Sequence, residues 1–162
     1  MRIVFFLKPK LIKNDLKYMA ELLFKDVSPD QWDQHNLTKA NLDYSLDSVR
    51  LVNEYADRLI QTEFGQQLLK EHADNFTTRI GVYLGEVIKN HKAGKYRWFD
   101  FNSIKKNTVH LNHYVLSVKD ESVLYSKKMD SVLCPIYEVK QYFEGNSNYD
   151  NFMAYVEEAI EN

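Results

Sequence analysis

The chain has 162 residues, enough for one domain with its own core and too few for two of ordinary size, and its 44% apolar and 27% charged content fits a globular chain rather than a disordered one. With 21 Lys and Arg against 23 Asp and Glu, the net charge is -2, so no global positive field attracts nucleic acid and no nucleic-acid partner is expected. The single cysteine, Cys134, excludes an internal disulfide framework, and the apolar run at residues 3–7 is too short for a signal sequence. No stretch reaches the length of a membrane span, so a single cytoplasmic domain over residues 1–162, with no membrane partner, is expected.

In chain order, Leu16, Met19, Ala20, Leu23 and Phe24 repeat at helical spacing and predict an amphipathic helix over residues 15–26, with Asn14 as a possible cap. Ser28-Pro29-Asp30-Gln31 has the pattern of a capping box with proline at the first helical position, predicting a short helix around Trp32. Residues 35–41 are polar and read as loop. Leu42-Asp43-Tyr44-Ser45 then leads into a helix over residues 46–62, capped by Ser45 or Asp47, with Val49, Val52, Ala56, Leu59 and Ile60 in one stripe and Glu54 with Arg58 as an exposed pair. After Gly65 a longer stripe runs through Leu69, Phe76, Ile80, Tyr83, Leu84, Val87 and Ile88. It predicts the central helix over residues 66–91, with a bend at residues 74–78, where threonines and an asparagine weaken helical preference.

Beyond Ala93-Gly94 the period becomes alternating. Residues 96–101 read as a strand with Arg97, Phe99 and Phe101 on one face and Tyr96 and Trp98 on the other. Further strands are expected near residues 109–118 and 122–125, joined by a turn at residues 119–121. Pro135 opens a helix that Gly145 stops, and a last helix begins at Asp150. This order predicts an α+β fold, with about four to six helices packed on one face of a small antiparallel sheet of three or so strands within residues 96–126.

The feature with most chemical content is Glu86, one carboxylate in the apolar helical run Ile80-Gly81-Val82-Tyr83-Leu84-Gly85-Glu86-Val87-Ile88. It is expected to be more than half buried and hydrogen-bonded, because a buried carboxylate without partners is costly. The plainer reading is a structural tether, with Glu86 paired with Arg79, Lys89 or Arg97, or else simply solvated. Its functional counterpart is a ligand-binding or acid/base carboxylate walled by Tyr83 and Trp98, with Asp43 and Tyr44 converging from the neighbouring helix start. Gly81 and Gly85 permit another backbone or side chain to approach this helix closely.

Other chemistry is thin. His110 and His113, three apart on an expected strand, point to opposite faces and cannot chelate one ion. His91 suits a helix C-terminus, and His35 and His72 lack partners in sequence. Cys134 reads as a small buried hydrophobe. The doublets Lys105-Lys106 and Lys127-Lys128 read as solvated charge, and neither a Gly-x-Ser-x-Gly motif nor a glycine-rich phosphate loop occurs. No catalytic residue, cofactor or metal site is therefore assigned.

Taken together, Leu42-Asp43-Tyr44-Ser45 before a helix, then Gly81-x-Tyr83-Leu84-Gly85-Glu86 followed by a strand bearing Trp98, resembles a diffuse set of uncharacterised small bacterial proteins. The likeness covers residues 42–101. Some members of the set are similar to toxin-immunity proteins, and that resemblance implies a partner-binding protein with no catalysis of its own. A protein partner bound through acidic and aromatic surface is the resulting expectation, with a small enzyme or ligand-binding protein built on Glu86 as the alternative.

Overall fold

Apolar residues three and four apart cannot all face water, and each stripe of this chain is buried by forming a helix. The computed structural model describes residues 10–109 and 121–162. The first stripe forms α1 (Lys17–Lys25), which buries Ala20 and Leu23. A short α2 (Gln31–Asn36) follows, then α3 (Leu46–Gln61), which buries Val49, Val52, Ala56 and Leu59. The longest helix, α4 (Glu63–His91), packs against α1 and α3 and against two later helices, α6 (Pro135–Phe143) and α7 (Phe152–Glu161). Between these helices lie β1 (Arg97–Asp100), a short α5 (Phe101–Lys105), β2 (Ser122–Ser126) and β3 (Ser131–Leu133).

The strands form one antiparallel sheet in the order β1-β2-β3, with Trp98 opposite Leu124, Phe99 opposite Val123 and Arg97 opposite Tyr125. The fold is α+β, helices packed on a small antiparallel sheet. Because strand side chains alternate, Trp98 and Leu124 face the main helical core, while Phe99, Val123 and Tyr125 face a smaller cluster with Phe101 and Ile104 of α5. Among the described residues no helix is long and apolar enough to cross a membrane.

Several local expectations are corrected. Asn14 does not cap α1; its side chain donates to Ser122 Oγ at 3.1 Å, a contact with β2 that no local pattern specifies. The cap of α2 is Asp30, which accepts from Asp33 N at 3.1 Å, and the Ser28 hydroxyl donates to the buried Asp33 carboxylate instead. Arg58 does not pair with Glu54. It lies over the Trp32 ring, 5.0 Å from the centroid, and reaches Asp30 at 3.4 Å, gaining a stacking surface as well as a charge. The α4 kink is at His72 (φ -137°, ψ 32°), ahead of residues 74–78. Residues 71–75 are all exposed, so the helix yields where no core holds it, whereas Thr77 is buried within the regular part.

Asp100 accepts from Asn102 N at 2.8 Å and turns the chain into α5, so Phe101 belongs to a helix and not to the strand. The last helix, α7, begins at Phe152 rather than at Asp150, with Asn151 as its cap. Ser45 caps α3 as expected, and Gly145 (φ 76°) ends α6 with Asn146 N donating to Gln141 O and Gly145 N to Tyr142 O, the bonding of a Schellman motif. The strand expected over residues 109–118, the turn after it, His110 and His113 and the N-terminal apolar run lie, wholly or nearly so, outside the described residues.

Candidate functional site

The two glycines of the central helix determine what surrounds Glu86. A methyl group on Gly81 would fall 2.5 Å from Ile136 Cα, so the missing side chain lets α6 lie directly on α4. One turn later, a methyl on Gly85 would overlap ring carbons of Trp98, so the indole occupies the space this glycine leaves. Trp98 is 1% exposed, and its Nε1 donates to Glu86 Oε2 at 3.0 Å. Lys89, one turn along the same helix, brings Nζ to 2.9 Å from that oxygen. Glu86 is 8% exposed, buried and hydrogen-bonded as its sequence context implies.

This geometry gives the carboxylate a donor and a counter-charge, both on rigid elements. Arg79 is directed elsewhere, to Asp26 at 2.8 Å, and Arg97 to another surface. Trp98 acts here as a hydrogen-bond donor packed into the core rather than as an open pocket wall. Glu86 and Trp98 line neither the cleft between α3 and α7, nor the one beside β1 and β2, nor those at the α4 kink and around α2. Replacing Glu86 by glutamine keeps an acceptor for the indole, whereas leucine leaves a buried N–H unpaired. Urea denaturation should therefore show Glu86→Leu less stable than Glu86→Gln by about 1–3 kcal/mol. Equal midpoints for the two variants would mean that the indole hydrogen bond holds nothing in place.

Tyr83, three residues before Glu86, lies on the neighbouring contact. Its hydroxyl donates to Ser48 Oγ at 2.7 Å and accepts from Tyr44 N at 3.0 Å, tying the centre of α4 to the start of α3. Tyr44 stacks on the Tyr83 ring at 4.9 Å between centroids and adopts φ 63°, a left-handed conformation that a bulky residue holds only when its surroundings fix it. Burial, then the charges of Glu21, Tyr83 and Glu86, push the Tyr44 hydroxyl up to about 12, and that hydroxyl has no hydrogen-bond partner among the described residues. Asp43 does not join this group: it is exposed, accepts from Ser45 N at 3.1 Å, and is held below its ordinary range by its hydrogen bonding to Ser45. The structure thus brings Tyr44 to Tyr83 and Glu86 to Trp98, and leaves Asp43 at the surface.

Among the described residues no group of three or more His, Cys, Asp or Glu side chains could hold a metal ion. His91 Nδ1 is 2.9 Å from Val87 O at the end of α4, a local helix contact. Cys134 is partly covered at the start of α6, and burial followed by the charge of Glu121 pushes its thiol up to about 12, which keeps it protonated and poorly nucleophilic.

A larger feature, which no motif marks, lies between α3 and α7. Here a groove of about 750 Å³ is ringed by Glu54, Asp57, Asp150 and Glu157, with Arg50 as its one cation and Tyr142 and Met153 as part of its floor. Asn53 organises it: the side-chain amide donates to Asp57 and to the Tyr142 hydroxyl at 3.2 Å each, while its carbonyl accepts from Phe152 N at 2.6 Å. The Tyr142 hydroxyl in turn donates to Asp57, and burial together with that carboxylate raises its pKa. None of the four acids has an ion-pair partner among the described residues. These acids come from positions about a hundred residues apart, and only the packing of α7 on α3 assembles them. Comparison with protein-family profiles, curated proteins and solved structures finds no match to this chain.

Proposed function

We propose that this protein is a non-catalytic binding module of the bacterial cytoplasm, immunity-like in its action, which takes a basic segment of another protein into the groove between α3 and α7. The observation that carries this reading is the groove itself, with four carboxylates against a single arginine around a tyrosine and methionine floor. Complementary charge of this kind speeds encounter and selects basic partners, while Tyr and Met supply adaptable contact area. The likeness of residues 42–101 to small bacterial proteins, some similar to toxin-immunity proteins, points the same way. The enzyme alternative loses support because Trp98 and Lys89 both engage the Glu86 carboxylate, which is 8% exposed.

Charge reversal provides the test. Immobilised protein should retain a basic partner from a host lysate in 1:1 ratio. The double variant Glu54→Lys and Glu157→Lys, at exposed positions, should weaken that complex by about tenfold or more with an unchanged circular dichroism spectrum. Retention of the same partner by the reversed groove would move the binding surface elsewhere. Turnover in a broad hydrolase screen that disappears in Glu86→Gln, with the fold intact, would replace the binding reading by the enzymatic one.

A further inference from the structure

Strand alternation gathers cations that are scattered along the sequence. Arg97 and Phe99, two residues apart on β1, face the same side, and across the ladder Tyr125 of β2 lies opposite Arg97. Residues 12–14 run along the outer edge of β1: Asn14 N donates to Trp98 O at 3.1 Å, Asp100 N donates to Ile12 O at 2.8 Å, and Lys13 forms an antiparallel bridge with Phe99. Lys13 therefore joins the Phe99 side of the sheet. Lys95, in the turn that precedes β1, and Lys127 and Lys128, in the turn after β2, line the same cleft.

These segments enclose a cleft of about 350 Å³ lined by Lys13, Lys95, Arg97, Lys127 and Lys128, with the buried Phe99 and Tyr125 beneath them. No acidic side chain lines it, and none of the five cationic groups has an ion-pair or hydrogen-bond partner among the described residues. The acid of the adjoining turn, Asp130, accepts from the Tyr125 hydroxyl at 2.9 Å. Five like charges converging on one small space repel one another, and an anion that bridges them removes that repulsion.

The shape selects among anions. Its volume is at the low end for ligand pockets, which suits a compact group rather than a polymer. Phe99 and Tyr125 are too deeply buried to offer faces for successive bases, so the stacking on which single-strand binders rely is missing here. An arginine fixed on a strand can grip two phosphate oxygens at once, and lysines from three other segments can neutralise the rest. We propose that this cleft binds a small ligand through a di- or triphosphate group, held bidentately by Arg97 and surrounded by Lys13, Lys95, Lys127 and Lys128. The site is separate from the acidic groove, and either can exist without the other.

Calorimetric titration of the whole chain at low ionic strength with inorganic triphosphate, with ATP and with an oligothymidylate strand tests this. Inorganic triphosphate should bind at one saturable site, and added salt should weaken it. Arg97→Gln and the double variant Lys127→Gln, Lys128→Gln should each weaken it by about tenfold or more, because each removes charge-assisted hydrogen bonds. All three positions are exposed, so these variants should keep the wild-type melting curve. The pair Lys105→Gln, Lys106→Gln, exposed and outside the cleft, should bind as wild type does. ATP binding at least as tightly as inorganic triphosphate would support the proposal and add a contact for the remainder of the ligand. The proposal is overturned by non-saturable titration with triphosphate, by equal weakening in the Lys105 and Lys106 pair, or by oligothymidylate affinity that exceeds triphosphate and grows with strand length.

Discussion

Trp98→Ala is expected to cost about 3–5 kcal/mol of folding stability. That is a large share of the total for a domain of this size, which is about 5–15 kcal/mol. Trp98 joins β1 to the central helix in two ways at once. Its ring fills the space beside Gly85, where the helix offers no side chain that could move in to close a cavity, and its N–H satisfies a carboxylate that is 8% exposed. Alanine removes both contributions, and Glu86 is then left with Lys89 alone. Trp98→Phe separates them: most of the ring volume stays and only the donor is lost, so about 1–3 kcal/mol should follow. Chemical denaturation of the two variants should place phenylalanine between wild type and alanine. If alanine shifts the midpoint no further than phenylalanine, the hydrogen bond rather than the packed ring holds the sheet to α4.

What could be read from the residues depended on how local the determinant was. The stripe of α3 was legible because Val49, Val52, Ala56 and Leu59 repeat at helical period and are all buried, and the cap at Ser45 because its bond is to a backbone group three residues away. Glu86 stood out for the same reason: residues 80–88 form an almost wholly apolar helical run in which a carboxylate must find partners, and its neighbour Lys89 is one of them. Gly81 and Gly85 were legible as close approaches, but not what approaches them, since Ile136 and Trp98 arrive from other elements.

Choices between equivalent local options were hidden. Asn14 could cap a helix by composition, yet its side chain is used on Ser122 far along the chain. Arg58 had Glu54 one turn away, yet Trp32 and Asp30 together offer it a better site. β3 and α5, of three and five residues, are too short for any period to be recognised. Both charged clefts were hidden more deeply. The Lys127-Lys128 doublet has the composition of ordinary solvated charge, and only the register that sets Arg97 opposite Tyr125 and Lys13 beside Phe99 turns it into one wall of a cleft.

Leu84→Ala should cost about 2–5 kcal/mol, and the cause differs from that at Trp98. Leu84 is 0% exposed and lies between Gly81 and Gly85 on the one helix that α1, α3, α6 and α7 all touch. Its loss removes apolar contact from the centre of the helical layer, not from the seam with the sheet. The surrounding helices are pinned by bonds that limit collapse into the vacated space, including the Tyr83 hydroxyl on Ser48 and Asn53 on Phe152 N. A site that cannot relax keeps its cavity, which places the effect in the upper part of the range. Leu84→Met conserves most of the volume and should cost less than about 1.5 kcal/mol. The two substitutions are far enough apart in mechanism that their order is informative: a denaturation midpoint unchanged in Leu84→Ala would remove the centre of α4 from the core, and equal losses for alanine and methionine would assign the cost to shape rather than to the cavity.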